Sequence, residues 1–112
     1  FDLRFPEQYR ALAEAGAEVL LVPAAFTYKT GQVHWQTLLT ARAVENQCFV
    51  VAANQCGWHD DKRQTWGHSC IIDPWGETLS AAGDEPGITV ADIDLQRLGQ
   101  VRRAMPLNHV RF

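Results

Sequence analysis

The chain has 112 residues, with ten Lys and Arg against thirteen Asp and Glu, and its net charge of −3 leaves no basic footprint for nucleic acid. No apolar run approaches the ~20 residues that span a bilayer, so a transmembrane helix is excluded. The balance of charged and apolar residues is that of a soluble globular protein, one domain or a piece of one.

Taken in chain order, Pro6 suits the first turn of a helix, where a missing N–H costs nothing. Glu7 complements the helix dipole in that turn. Tyr9, Leu12 and Ala13 form an apolar stripe, and Gly16 is a natural stop. Glu18 to Pro23 is a short apolar run that reads as a strand buried on both faces. The alternation predicts a parallel βαβ unit whose first strand ends just before Phe1. Ala24 to Gly31 reads as a loop, with Thr30 capping a helix that starts near Gln32 and ends at Asn46. Its stripe is Trp35, Leu38, Leu39 and Ala43.

Cys48 to Ala53 is a second two-sided apolar strand. Asn54 to Gly67 is polar and reads as an exposed loop. His68 to Ile72 and Glu77 to Ser80 flank Asp73-Pro74-Trp75-Gly76, which suits a type I turn, so a hairpin is predicted. Gly87 to Ile93 reads as one more strand. Leu95, Leu98, Val101 and Met105 predict a last helix that stops before Pro106. Strands buried on both faces need covering layers on both sides, and a chain this short cannot supply them all.

The three cysteines, Cys48, Cys56 and Cys70, are an odd number and form no Cys-x-x-Cys pair. A reduced, cytoplasmic setting is therefore expected rather than a disulfide framework. Cys56, His59, His68 and Cys70 are a conceivable zinc set. Their spacing is not a usual finger pattern, however, and no metal is expected. A Cys70–His68 nucleophile pair would lack an orienting group and an oxyanion hole.

Five blocks stand out beyond these patterns: Phe1-Asp2-Leu3-Arg4-Phe5-Pro6-Glu7, Thr30-Gly31-x-x-His34-Trp35, Ala41-Arg42-Ala43-Val44-Glu45-Asn46-Gln47, Trp66-Gly67-His68-Ser69 and Asp73-Pro74-Trp75-Gly76-Glu77. In order and spacing they resemble the carbon–nitrogen hydrolase (nitrilase) superfamily, in the branch of the amidases for deaminated glutathione and ω-amides. The resemblance implies an α/β fold: the C-terminal portion of a nitrilase-type α-β-β-α sandwich, with a mixed sheet and covering helices. Residues 1–112 would be the C-terminal part of one such domain.

The family hydrolyses C–N bonds through a thioester on a cysteine, with a glutamate moving protons and a lysine steadying charge. By resemblance the cysteine falls immediately before Phe1, and the other two lie upstream of it. No catalytic side chain is then expected in this chain, which alone would be inactive. The Phe1 backbone N–H would help hold the oxyanion.

Asp2, Arg4, Ala24, Ala25 and Phe26 would line the substrate pocket. Arg4 matches an arginine that grips carboxylates in family members with acidic substrates; a helix-start ion pair with Glu7 is the alternative. For Asp2 a cap or buried acceptor competes with a pocket role. For Phe26 the alternative is core packing. Arg42, Glu45 and Asn46 read as a structural ion-pair and capping cluster, or else as part of the site wall or an interface. His34 and Trp35 read as packing and cap-region residues.

The resemblance further implies a small carboxylate-bearing amide as substrate and no cofactor. It also implies a cytoplasmic homodimer joined through helices near Pro6–Ala15 and Gln32–Asn46, with no nucleic-acid or membrane partner. A non-catalytic binding protein lacking the nucleophile is the competing class.

Overall fold

The computed structural model of the protein describes residues 2–24, 27–54, 56–58, 64–83 and 89–106. Phe1, Ala25, Phe26, His59 and Gly87 lie outside the described residues, and Asp2 and Cys56 are placed by their backbones only.

A 3₁₀ turn at Asp2–Arg4 leads into α1 (Pro6–Glu14). The helix stops where Gly16 predicts. Gly16 has φ of +107°, and the Gly16 and Ala17 N–H groups donate to the Ala13 and Leu12 carbonyls at 3.0 Å. β1 (Val19–Ala24) follows, then α2 (Tyr28–Asn46) and β2 (Phe49–Asn54). β1 and β2 pair in parallel, Leu20 against Val50 and Val22 against Ala52.

Two further strands, β3 (Cys56–Trp58) and β4 (Gln64–Trp66), form a small antiparallel ribbon. The main sheet then continues with β5 (Cys70–Ile72) and β6 (Thr78–Ala81), both antiparallel, in the order β1-β2-β5-β6. α3 (Leu95–Ala104) closes the described chain. The sheet is mixed, as the fold class requires.

α2 covers one face of this sheet. Trp35, Leu39 and Ala43 are fully buried against Leu20, Val22, Val50, Ala52, Cys70 and Ile72, and Leu3 and Tyr9 join the same cluster. The opposite face is open at β1: Leu21 is 70% exposed, and Pro23 and Ala53 are exposed beside it. The two-sided burial expected of β1 is therefore not met. Its burial alternates with the period of two that one covering layer produces.

The structure corrects other expectations. α2 starts at Tyr28, one turn before Gln32, and Thr27 rather than Thr30 occupies its N-cap. Thr30 instead bonds the Thr27 hydroxyl at 2.6 Å. Gly31 is inside the helix, not before it, because α2 needs it for contact: a Cβ there would lie 2.3 Å from Trp66 Cβ. Gly31→Ala is expected to lower stability by about 1–3 kcal/mol, since neither the helix nor β4 can retreat freely. Chemical denaturation of the full-length protein checks this, and an unchanged midpoint would contradict the close packing.

The polar stretch 54–67 is not a simple loop, because β2 runs on to Asn54 and the ribbon lies within the stretch. Its three-residue strands carry no periodic signal. Residues 89–94 form no strand. Val90 is 76% exposed there, and the Asp94 side chain instead accepts from Gln96 N–H at 2.9 Å to cap α3. Three residues expected in helix stripes, Leu12, Leu95 and Met105, are 53%, 52% and 45% exposed, and Met105 lies just past the end of α3.

The turn at Asp73 behaves as predicted. Gly76 N–H donates to the Asp73 carbonyl at 3.0 Å, while Asp73 Oδ1 accepts from Trp75 and Glu77 N–H at 2.9 Å. Gly76 has φ of +99°, and a Cβ there would meet the Val44 side chain at 2.8 Å.

Candidate functional site

Parallel strands β1 and β2 end together at Ala24 and Asn54. Ligands in open α/β sheets bind at such carboxyl ends, and here Pro23, Ala24, Ala53 and Asn54 line an open recess. Ala24, expected in the loop after the strand, is the last residue of β1 and borders this recess. Asn54 was missed. Its signal was its position as the first polar residue after a six-residue apolar run.

Asn54 is held from several sides. Its backbone N–H donates to Ser69 Oγ at 2.9 Å, and its side-chain Nδ2 donates to the Gly67 carbonyl at 2.9 Å. The segment it grips, Trp66-Gly67-His68-Ser69, adopts an unusual backbone, with Gly67 at φ +70° and His68 at φ +56°. A non-glycine residue in the left-handed region is strained and persists only when its surroundings fix it. Here Trp35 Nε1–H donates to the His68 carbonyl at 2.8 Å, and His68 N–H donates to the Gly83 carbonyl at 3.0 Å. The His68 ring stacks on Trp66 at 3.7 Å, and its Nδ1 lies 2.6 Å from the Trp66 carbonyl. A carbonyl only accepts, so Nδ1 carries the proton.

This geometry does not favour a Cys70–His68 nucleophile pair, and the zinc set falls partly on His59 and the Cys56 side chain, outside what is described. His68 and Cys70 do not share a strand face, since β5 begins only at Cys70. Burial pushes the Cys70 thiol up to about 11, so it is not a thiolate at neutral pH. Cys48 is fully buried, and its Sγ–H donates to the Ala17 carbonyl at 3.2 Å. Burial also raises its pKa, with the nearby Arg102 guanidinium pulling the other way. Among the described residues no group of three or more His, Cys, Asp or Glu could hold a metal ion.

Arg4 is exposed and does not line the recess; its guanidinium Nη2 lies 3.2 Å from His34 Nδ1 on α2. The turn that carries it is pinned from below. Arg42, buried on α2, donates Nε and Nη2 to the Leu3 carbonyl at 3.1 and 2.8 Å. Arg42 also pairs with Glu45 at 3.1 Å and lies over the Tyr9 ring at 6.0 Å. Asn46 Nδ2 donates to the Arg42 carbonyl. These contacts make Arg42, Glu45 and Asn46 a structural cluster. Trp35 is fully buried and so is not an outward-facing interface residue.

The carbon–nitrogen hydrolase family model matches residues 1–103. The chain belongs to the carbon–nitrogen hydrolase family. Among its relatives, the deaminated glutathione amidase of Synechocystis sp. is 57% identical over 106 residues, covering 95% of this chain and 39% of that protein. The crystal structure of the C. elegans NitFhit protein superimposes with a TM-score of 0.95 at 46% identity, covering 98% of this chain and 27% of the other. A mutant of the amidase from Nesterenkonia sp. AN1 superimposes with a TM-score of 0.74 at 36% identity, over 98% of this chain and 41% of that one. That structure shows covalent addition of the acetamide moiety of fluoroacetamide at the active-site cysteine. The chain thus spans well under half of these relatives' length. Its nitrilase-type α/β fold is shared with them.

Proposed function

We propose that the whole protein is a cytoplasmic amidase that hydrolyses a C–N bond of a small carboxylate-bearing amide, of the deaminated-glutathione or ω-amide kind. The observation that carries this reading is the match of 95% of this chain, 57% identical, to a deaminated glutathione amidase. The covalent adduct on the cysteine of the Nesterenkonia amidase supports a cysteine nucleophile for this protein too.

In this reading the cysteine stands immediately before Phe1, with a glutamate and a lysine upstream. The glutamate takes the proton of the cysteine thiol, the resulting thiolate attacks the amide carbon, and the carbonyl oxygen becomes an oxyanion held by the Phe1 backbone N–H and the lysine. The glutamate then delivers a proton to the leaving nitrogen. Water next attacks the thioester, giving up a proton to the glutamate, and releases the acid and the thiol. Asp2, Arg4, Ala24, Ala25 and Phe26 form the substrate side of the pocket, with Arg4 on the carboxylate. Asn54 extends the wall at the end of β2. No cofactor takes part.

The full-length protein is expected to release amine or ammonia from such amides, and to lose this activity when the cysteine before Phe1 is replaced by Ser. Activity that survives the replacement would refute the assignment and favour the competing class, a binding protein. Residues 1–112 expressed alone are expected to release neither product. Turnover by that segment, abolished by Cys56→Ala or Cys70→Ala, would move the nucleophile into this chain.

The whole protein is further expected to be a homodimer through α1 and α2. Leu12, Val33 and Val44 on these helices are 53%, 66% and 43% exposed and supply apolar contact area. Light scattering that gives a monomer at micromolar concentration would contradict this.

A further inference from the structure

We infer that Ser69 is a positioning residue for substrate recognition: its hydroxyl holds the end of β2, and with it Asn54, against the part of the amide beyond the scissile bond. The inference rests on the amidase reading above and adds the group that sets the shape of the recess.

The antiparallel pairing of β2 with β5 joins Val50 to Ile72, Val51 to Ile71 and Ala52 to Cys70, and stops there. Continued in that register, Ser69 would face Ala53 and His68 would face Asn54. The left-handed backbone of Gly67 and His68, at φ +70° and +56°, turns the chain out of this ladder. Toward β6 the same segment stays paired. Ala82 N–H donates to the Ser69 carbonyl at 2.8 Å, and His68 N–H donates to the Gly83 carbonyl at 3.0 Å. The departure is therefore confined to the side that faces β2. There the Ser69 side chain replaces the ladder. Its Oγ accepts from Asn54 N–H at 2.9 Å and donates to the Asn54 carbonyl at 3.4 Å. A hydroxyl has one proton and two lone pairs, so one side chain serves both backbone groups.

Ala24 and Asn54 end the parallel pair β1–β2 and, with Pro23 and Ala53, line the recess. The placement of this wall thus depends on a single hydroxyl. Asn54 needs no spare hydrogen bond for the role, because the wall acts through where its backbone is held. The strain at His68 fits the same reading, since strained residues gather at functional sites and persist where their surroundings fix them. The His68 carbonyl is held by the Trp35 indole at 2.8 Å, and the Gly67 carbonyl by Asn54 Nδ2 at 2.9 Å. The turn that carries Arg4 is held separately, by Arg42 on the Leu3 carbonyl, so a change at Ser69 leaves that corner in place.

The test uses the full-length protein and two carboxylate-bearing amides that share the scissile group, one short and one long. Ser69→Ala is expected to raise KM for the long amide roughly two- to ten-fold, the range for one hydrogen bond. For the short amide KM should stay within about two-fold, and kcat should hold for both. Ser69→Thr keeps the hydroxyl and should restore KM for the long amide. Asn54→Ala keeps the backbone bonds to Ser69 but removes the wall side chain, and should also raise KM for the long amide alone. In that background Ser69→Ala should add little, as expected of two residues acting through one contact. If Ser69→Ala changes KM for both amides alike, or lowers kcat for both, Ser69 is a structural residue and the inference fails. If neither amide responds, the inference fails and the amidase reading stands. If Ser69→Ala does not fold, Asn54→Ala decides, and an unchanged KM for the long amide overturns the inference. If the parent protein hydrolyses neither amide, the reading itself fails and takes the inference with it.

Discussion

Trp35→Ala in the full-length protein is expected to cost about 3–5 kcal/mol of stability, the range for removing a buried large aromatic. The side chain is fully buried at the centre of the core, between α2 and the sheet. Its loss would leave a cavity beside Leu39 and Val50 that close-packed neighbours cannot collapse into. The indole also donates to the His68 carbonyl at 2.8 Å. That bond helps hold His68 in its left-handed conformation, so the damage should reach the segment that grips Asn54. Trp35→Phe separates the two contributions. It keeps most of the volume and should recover most of the stability, but it cannot restore the hydrogen bond. Chemical denaturation provides the measurement. A loss for Trp35→Ala below about 1 kcal/mol would mean that the site collapses freely and that the core is not organised around this residue.

The features legible in the sequence are those whose cause is local. Gly16 ends α1 through its own backbone conformation, and the Asp73 turn closes with bonds inside five residues. The apolar stripe of α2 is written in its spacing, and Trp35, Leu39 and Ala43 all reach the core. The misreadings arise where a distant partner decides. Gly31 looks like loop punctuation until Trp66 is placed against it. β3 and β4 are three-residue strands that exist through each other, and neither carries an alternation to read. The apolar run of β1 announces a strand but cannot say how many of its faces this chain covers.

The candidate site divides in the same way. Ala24 could be singled out as a candidate because strand ends in parallel sheets carry a general meaning. Asn54 could not, because its role depends on where Gly67 and Ser69 return to the sheet. His34 read as a packing or cap-region residue for a similar reason. Its partner, Arg4, lies thirty residues earlier and is brought to it by the packing of the first turn on α2.

Arg4→Ala is the second large effect expected, and it bears on function rather than folding. The guanidinium is exposed, with His34 the contact seen on α2. As an exposed substitution it should change stability little. Toward a carboxylate-bearing amide the loss is that of a charge-assisted hydrogen bond, about 1.5–3 kcal/mol. This corresponds to roughly a ten- to hundred-fold fall in kcat/KM. If the carboxylate is gripped equally in the ground and transition states, the change will appear in KM with kcat nearly constant. Arg4→Lys keeps a charge but loses the planar fork, so it should fall between the parent and the alanine variant. A neutral amide never engages the guanidinium and should be hydrolysed almost as before. Steady-state kinetics on the acidic and neutral substrates provide the check. An equal loss on both would make Arg4 a structural residue of the strand-to-helix corner, in line with the alternative of a helix-start pair with Glu7, and the carboxylate would then need another cation.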